Sequence, residues 1–313
     1  MEYSRQYLAE LANKTNFIKD NLEKVLRLAE ILKFLNNDKG LAGKLALKGG
    51  TAINLTAVEL PRLSVDIDLD FTQNLSSNET AEEKNALVKR LINYMEQEGY
   101  SLTNTREHYA LTSFVFNYLN NAGNRDNIKI EINLLNRCHI LPLEHKQIMS
   151  SGIIEQYEIL TLNTIELYAS KINALLSRAT PRDLYDIDAM IQKKIIDAYS
   201  DMNLLRKCLI FYNMLGGEQD IDEINYSKIE KIDYLKFKTQ LKPVIAKTDT
   251  FDLNKAKRTV IDFLKQLIIL TDNEKKFIIQ FRNKNYCPET LFSEQNIICN
   301  IKSHPAALWR CKK

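Results

Sequence analysis

Apolar residues recur at helical spacing in two segments of the first hundred residues. Between residues 16 and 36 they include Phe17, Leu22, Val25 and Leu32, and this spacing predicts an amphipathic helix. The stretch "ETAEEKNALVKRLINYMEQEGY" has the same periodicity, with acidic residues in its first turn where the helix dipole favours negative charge. Between the two helices we expect a short strand over residues 45–47, followed by a glycine turn that opens a short helix.

Three segments show the two-residue alternation of β-strands. In "RLSVDIDLDF" the residues Asp66, Asp68 and Asp70 alternate with apolar residues, and "ALTSFVFNYL" and "NIKIEINLL" are two further strands. Successive side chains of a strand point to opposite faces, so the three aspartates share one face. Glu131 lies on the polar face of "NIKIEINLL", a strand that could neighbour the aspartate strand. Crowded carboxylates repel each other, which a fold tolerates where the face is wet or binds a cation.

Helical periodicity dominates from about residue 163 onward, in segments such as "TIELYASKINALLSR" and "DMNLLRKCLIFYNML". We therefore predict an α+β fold with two domains. The first, residues 1–195, has a small mixed sheet flanked by helices, and the second, residues 196–313, is a helical bundle.

Composition indicates a soluble globular chain of 313 residues, 45% of them hydrophobic. No apolar run approaches the roughly 18 residues of a membrane span, so we predict a cytoplasmic protein without a membrane partner. The five cysteines form no CxxC pair and are expected to be free thiols. The four histidines are equally dispersed, which gives no pattern for a zinc site.

Charge is divided unevenly along the chain. The net charge is +3, but residues 201–313 contain 20 Lys and Arg against 14 Asp and Glu, so this part carries +6 and the first 200 residues carry −3. A basic C-terminal part is compatible with a surface for nucleic acid. The 14 Tyr and 12 Phe residues show no evident interleaving with basic residues, and most are expected in the core.

The glycine pair Gly49-Gly50, followed by Thr51, is the first candidate for ligand binding. Backbone N–H groups at a strand-to-helix turn can face an anion, with the Thr51 hydroxyl as an added donor. The alternative is a turn that needs glycine for its backbone conformation alone. The aspartate strand one short helix later favours function, because Asp66 and Asp68 beside a phosphate-binding turn could hold Mg²⁺, or Mn²⁺, against a triphosphate.

Together, "LKGGTAINL", "RLSVDIDLDF" and "KINALLSRATPRDLYDI" resemble the AbiEii/AbiGii toxin family of nucleotidyltransferases, in the DNA polymerase β-type superfamily. The resemblance covers roughly residues 44–190 and continues loosely to "YCPETLF" and "HPAALWR". It implies transfer of a nucleoside monophosphate from an NTP, with release of pyrophosphate. It further implies a toxin of a toxin–antitoxin or phage-defence system, with an acceptor such as tRNA and a cognate antitoxin as partner.

Residue by residue, the resemblance assigns the glycine turn to phosphate binding and Asp66 and Asp68 to metal binding. It implies that Lys171 contacts the triphosphate and that the aspartates of "RDLYD", Asp183 and Asp186, face the same cleft. We expect Asp186 to position Lys171 or a substrate hydroxyl. The further candidates for nucleotide binding are Arg62, Ser64 and Arg178.

Several of these residues have structural alternatives. Glu131 is either a third metal carboxylate, which could also help to activate the attacking hydroxyl, or half of a surface pair with Lys129. Lys171 could snorkel beside an apolar helix face. Asp183 fits a capping position after Thr180, which makes Asp186 the stronger functional candidate.

Three other residues also have alternative roles. Arg62 either clamps a phosphate or neutralises the acidic strand. Arg182, in the first turn of its helix, is expected to pair with an acid or a phosphate. Asp70, one pleat beyond Asp68, is expected to be a surface or supporting acid.

Two other functions are compatible with the sequence. A nucleotidyltransferase could modify a protein or a small molecule instead of RNA. A catalytically inert nucleotidyltransferase-like scaffold could bind a protein partner through its helical domain.

Overall fold

A computed structural model of the chain describes residues 3–150, 152–196 and 198–312. The chain forms two compact units. The first, called here the sheet unit, runs to Arg137 and adds Leu143–Thr161 and Val244–Thr248. The second, the helical unit, contains Cys138–Pro142, Leu162–Pro243 and the chain from Asp249 onward.

The sheet unit is built on one seven-stranded mixed sheet, with the strand order β3-β4-β5-β2-β1-β7-β6. The pairs β2–β5 and β1–β7 are parallel and the other neighbours are antiparallel. The strands are β1 (Leu45–Lys48), β2 (Asp66–Phe71), β3 (Ser101–Glu107), β4 (Leu111–Leu119), β5 (Arg125–Asn133), β6 (Glu144–Gln147) and β7 (Glu158–Thr161), and the helices are α1 (Arg5–Thr15), α2 (Lys19–Asn37), α3 (Gly49–Thr56) and α4 (Ser77–Gln97). The predicted α+β fold with a mixed sheet is confirmed.

Alternation along β2 and β5 produces one apolar and one polar face. Ile67 and Leu69 of β2 and Ile130 of β5 are buried, whereas Asp68 and Glu131 lie on the opposite face and are half-buried. The two strands are neighbours, which the sequence analysis had considered, and they run parallel. The apolar side contributes to the core, and the polar side is available for chemistry.

One row of residues crosses the polar face from strand to strand. The register pairs Lys48 with Asp68, Asp68 with Glu131, and Glu131 with Ser113, which in turn pairs with Arg106. Neighbouring strands are about 4.8 Å apart, so the Asp68 and Glu131 backbones are directly adjacent. We call the five residues Lys48, Asp68, Glu131, Ser113 and Arg106 the polar row.

The helical unit is formed by helices joined by short connections. Its α-helices are α5 (Thr164–Arg178), α6 (Pro181–Gln192), α7 (Tyr199–Gly216), α8 (Ser227–Glu230), α9 (Tyr234–Lys236), α10 (Leu253–Leu267), α11 (Asp272–Arg282), α12 (Pro288–Leu291), α13 (Gln295–Ile301) and α14 (Pro305–Lys312). A π-helix, Phe237–Leu241, follows α9, and the 3₁₀ turn Lys242–Val244 leads back into the sheet unit.

The division into units differs from the domain boundary expected near residue 195. Helices α5 and α6 belong to the helical unit, because α5 packs on α7 and α6 packs on α10. The side chains of α5 and α6 that are buried, including Leu175 and Leu184, therefore contribute to a helical core. Helical periodicity begins at residue 163, which is close to the point at which the structure divides.

Two expectations from composition can be compared with the described residues. All five cysteines are free thiols. Within residues 3–150, 152–196 and 198–312, no helix is both long and apolar enough to cross a bilayer.

Candidate active site

The glycine turn lies directly against an aspartate of the next strand. Gly49 has a φ of +70°, a left-handed conformation that residues with a side chain rarely adopt. A β-carbon at Gly49 would overlap the carboxylate of Asp68 and would lie 3.2 Å from its Cβ and Cγ. Glycine is therefore required twice here, by the backbone conformation and by the approach of Asp68.

The Thr51 hydroxyl was expected to face an anion, but it makes a different contact. The side chain is 1% exposed, and Oγ1 donates a hydrogen bond of 2.5 Å to the backbone carbonyl of Asp66. In the same turn of α3, Nδ2 of Asn54 donates to the carbonyl of Gly50 at 2.7 Å. The Thr51 hydroxyl thus joins the glycine turn to the start of the aspartate strand, and backbone groups are left as the candidates for anion binding.

The three aspartates of β2 lie in two different environments. Asp66 and Asp68 are half-buried, but Asp70 is 1% exposed and forms an ion pair with Nζ of Lys48 at 2.5 Å. A buried carboxylate held by its own lysine supports the fold and the position of that lysine. Of the two roles expected for Asp70, this arrangement agrees with a supporting acid and excludes a surface acid.

Glu131 combines features of both roles considered for it. It lies beside Asp68 in the polar row, and its Oε1 is 2.9 Å from Nζ of Lys129. Asp66 pairs with Lys129 in the same register, so this lysine lies within the acidic part of the face. The pair with Lys129 is present, and a role for Glu131 as a third metal carboxylate stays a prediction.

The donor set of the polar face fits a hard divalent cation at two carboxylates. Among the described residues, no group of three or more His, Cys, Asp or Glu side chains is arranged to hold a metal ion. Mg²⁺, however, usually binds proteins through one or two carboxylates and completes its coordination with waters and substrate phosphates. Asp66 and Asp68 offer such a pair, and the absence of a side chain at Gly49 lets the Asp68 carboxylate lie directly against the glycine turn.

An open cleft of about 320 Å³ lies on the sheet at Glu131. The row residues Arg106 and Ser113 line it together with Lys129. Asn104 and His108 add further polar groups to the wall. The cleft therefore offers several hydrogen-bond donors next to a candidate metal carboxylate.

Arg62 and Ser64 precede the aspartate strand but differ in exposure. Arg62 is 2% exposed, and its guanidinium donates to the carbonyl of Leu63 at 3.1 Å. Its backbone forms a bridge with Ile245. This burial favours a supporting role for Arg62 near the acidic strand over direct contact with a phosphate, while Ser64 is half-buried.

In the helical unit, Lys171 is held between two aspartates. It is 6% exposed, and Nζ is 3.0 Å from Oδ1 of Asp183 and 3.0 Å from Oδ2 of Asp186. Asp183 and Asp186 are themselves buried. The structure thus joins the three residues of the "KINALLSRATPRDLYDI" motif that sequence had singled out. We call them the lysine cluster.

Asp183 is the most heavily bonded member of the lysine cluster. Arg178 donates to its carboxylate at 2.8 and 3.0 Å, and the Thr180 hydroxyl donates at 2.7 Å. The Thr180 hydroxyl in turn accepts from the backbone N–H of Asp183 at 3.2 Å, which is the expected N-cap of α6. Burial raises the pKa of Asp183, but Lys171 and Arg178 outweigh it and hold that pKa well below its usual range.

Tyr168 is a neighbour of the lysine cluster that the sequence pattern did not identify. It lies one helical turn before Lys171 on α5 and is fully buried. Its hydroxyl has no hydrogen-bond partner among the described residues. Burial and the nearby charge of Asp186 raise the pKa of Tyr168. The i,i+3 spacing from Lys171 was the available signal.

Comparisons with known proteins identify the family and a similar fold. The family model described as "Nucleotidyl transferase AbiEii toxin, Type IV TA system" matches residues 33–262. Among solved structures, MenT4, a nucleotidyltransferase toxin from Mycobacterium tuberculosis H37Rv, is similar in fold with a TM-score of 0.67 at 14% identity. That similarity covers 98% of this chain and 99% of the other. No curated protein sequence matches the chain.

Proposed function

Because the chain belongs to the AbiEii family of nucleotidyltransferase toxins of type IV toxin–antitoxin systems, we propose that it transfers a nucleoside monophosphate from an NTP to RNA, such as tRNA. Pyrophosphate is the leaving group. The observation that carries this proposal is the contact between the Gly49 turn and Asp68 on the polar face of the sheet. Through this contact, backbone N–H groups of the kind that bind phosphate lie next to a carboxylate of the kind that binds a metal ion.

Asp66 and Asp68 are the proposed metal ligands of the sheet unit. A bound Mg²⁺ or Mn²⁺ supplies positive charge that stabilises phosphate oxygens during the transfer. The backbone N–H groups at the start of α3 bind the phosphate, and Gly49 and Gly50 permit its close approach because they have no side chain. Glu131 is proposed either to complete the acidic site or to accept the proton of the attacking hydroxyl.

Lys171 is proposed to neutralise charge on the triphosphate, as the family resemblance implies. Asp186 acts through Lys171 and is a positioning residue, supported by the 3.0 Å contact between Oδ2 and Nζ. Arg178 binds Asp183, and Thr180 caps α6 by accepting from the backbone N–H of Asp183. A compact ammonium group suits a triphosphate, because it is a point charge with three donors.

Incubation of the full-length protein with labelled NTPs, Mg²⁺ and total RNA tests the proposal. We expect label on RNA with at least one NTP, and no label with Asp68→Asn or with excess EDTA. Asp262→Asn is the matched control, since Asp262 is an exposed residue of α10. No transfer by folded wild-type protein with any NTP would overturn the proposal.

The same assay in cell lysate separates the acceptor classes. Label on a protein or a small molecule, with none on RNA, would identify the other kind of nucleotidyltransferase. An inert scaffold predicts that no NTP stabilises the protein, whereas an NTP at about 100 times its Kd stabilises it by about 2.7 kcal/mol. A growth assay on co-expression with neighbouring small genes tests for the cognate antitoxin.

A further inference from the structure

Residues Lys231–Lys242 of the helical unit form a surface segment that contains four lysines, two aromatic residues and a single acid, Asp233. We call it the lysine strip. Tyr234 is 64% exposed and Leu235 is 68% exposed. No described carboxylate forms an ion pair with any lysine of the strip. These lysines are all exposed: Lys231, Lys236, Lys238 and Lys242.

A ladder of aromatic rings fixes the strip to the body of the helical unit. Ring centroids are 5.6 Å apart between Tyr234 and Phe237, and 6.2 Å apart between Phe237 and Phe251. Phe251 is 5.1 Å from Tyr185 of α6, whose hydroxyl donates to Asp249 at 2.7 Å. The outermost ring, Tyr234, is thus supported from behind while most of its surface is exposed.

Arg182 of α6 forms a second attachment. Its Nε donates a 2.7 Å hydrogen bond to the carbonyl of Gln240, which lies in the π-helix. This backbone contact was not expected from the sequence, and the pairing of Arg182 with an acid or a phosphate stays a prediction. π-Helical turns are rare and occur frequently at functional sites. Here the turn contains Lys238 and follows directly on Lys236.

Both attachments of the lysine strip are made by α6, the helix that also contacts Lys171. Arg182 and Tyr185 hold the strip, while Asp183 and Asp186 bind Lys171. The strip and the lysine cluster are therefore connected through one helix of twelve residues. A ligand on the strip would be bound to the same rigid element that positions the lysine.

We propose that the lysine strip binds a single-stranded segment of the nucleic-acid acceptor, with the lysines on phosphates and Tyr234 stacked on a base. Lysines neutralise phosphates and release counterions, and exposed aromatic rings provide stacking surfaces for bases of any sequence. An acidic protein partner would also complement the charge of the lysines. Binding such a partner, however, would not explain why the exposed ring of Tyr234 is held among them. The identity of the acceptor as RNA rests on the proposed function.

RNA binding without NTP tests the strip separately from catalysis. Fluorescence anisotropy of a labelled single-stranded RNA is measured with full-length protein at several salt concentrations. Lys236→Ala/Lys238→Ala/Lys242→Ala is expected to weaken binding roughly 10- to 100-fold and to reduce the salt slope by about 2. The control Lys275→Ala/Lys276→Ala/Lys302→Ala removes the same charge from exposed positions elsewhere in the helical unit. Equal losses in the two variants, or no loss in either, would overturn the proposal.

Substitution of Tyr234 tests the stacking contact. Tyr234→Ala is expected to weaken RNA binding on the order of tenfold, and Tyr234→Phe to retain it, because the ring and not the hydroxyl is used. Tyr199→Ala is the matched control, since Tyr199 is 83% exposed in the same unit. Circular dichroism and the Tm of each variant establish that it is folded. A Tyr234→Ala protein that binds RNA as the wild type does would exclude the stacking contact.

The outcomes separate this inference from the proposed function. RNA binding through the strip without label transfer to any RNA would contradict the proposed function and leave the inference in place. Poly-glutamate is a probe for an acidic protein partner. If the strip variant loses poly-glutamate binding and retains RNA binding, the strip is a protein-binding surface and the inference is wrong.

Discussion

The two pairs of aspartates in this chain, one in each unit, are in opposite environments. Asp66 and Asp68 are half-buried on a strand face, and the Asp68 carboxylate lies against the turn at Gly49. Asp183 and Asp186 are buried, and each is 3.0 Å from Nζ of the same lysine. A half-exposed pair can accept a cation from outside, whereas a buried pair with its own cation acts through the position of that cation.

This comparison predicts that the buried pair matters more for stability. Lys171→Met keeps the length of the side chain but removes the cation from two buried carboxylates. We expect a loss of about 3–5 kcal/mol in the free energy of unfolding, because such carboxylates lose their charge partner within the protein. Urea denaturation measures it, with the exposed Lys276→Met as control. A loss below about 1 kcal/mol would show that Asp183 and Asp186 do not depend on Lys171.

The half-buried pair, Asp66 and Asp68, is expected to matter more for nucleotide transfer. Asp68→Asn should lower nucleotide transfer at least about 100-fold, because a neutral amide is a poor metal ligand. The free energy of unfolding should change by less than about 1 kcal/mol, since the side chain is half-exposed. Transfer kinetics and urea denaturation of one preparation give both values. A large loss of stability with normal transfer would reverse the comparison.

The pH dependence of the free energy of unfolding should reveal the lowered pKa of Asp183. Its pKa is lowered in the folded state, so its contribution is present above the unfolded value of about 3.9 and is lost as the pH falls through the folded pKa. The difference in unfolding free energy between wild type and Asp183→Asn should be constant from pH 7 to about pH 5. It should decrease below about pH 4. A difference that grows on acidification would contradict the lowered pKa.

Features set by local periodicity were predictable. The period of two along "VDIDLDF" and "NIKIEINLL" is sufficient to put Asp68 and Glu131 on polar strand faces, and the sheet confirms that the strands are neighbours. The N-cap at Thr180 follows from a four-residue pattern and is also present. The expected domain boundary was less accurate, because the packing of α5 on α7 depends on long-range contacts that periodicity does not contain.

Features set by tertiary contacts could not be predicted. The hydroxyl of Thr51 donates to a carbonyl fifteen positions later in the chain, and the burial of Arg62 depends on a segment near Ile245. The lysine strip was missed because its aromatic residues look like core residues in sequence. Its attachment to the helical unit includes the π-helix and the contact of Arg182 with Gln240, which periodicity does not contain.

Tyr168 provides the smallest expected effect and the finest test of the buried pair. Its hydroxyl is buried without a hydrogen-bond partner among the described residues, and an unsatisfied buried hydroxyl is a cost that phenylalanine avoids. Tyr168→Phe should therefore leave the unfolding free energy unchanged or raise it by up to about 1 kcal/mol. If the hydroxyl instead assists the lysine cluster through Asp186, Tyr168→Phe would lower nucleotide transfer without lowering the free energy of unfolding. Parallel measurement of transfer kinetics and urea denaturation distinguishes a packing role for Tyr168 from a positioning role, and a loss of more than about 1 kcal/mol would contradict both.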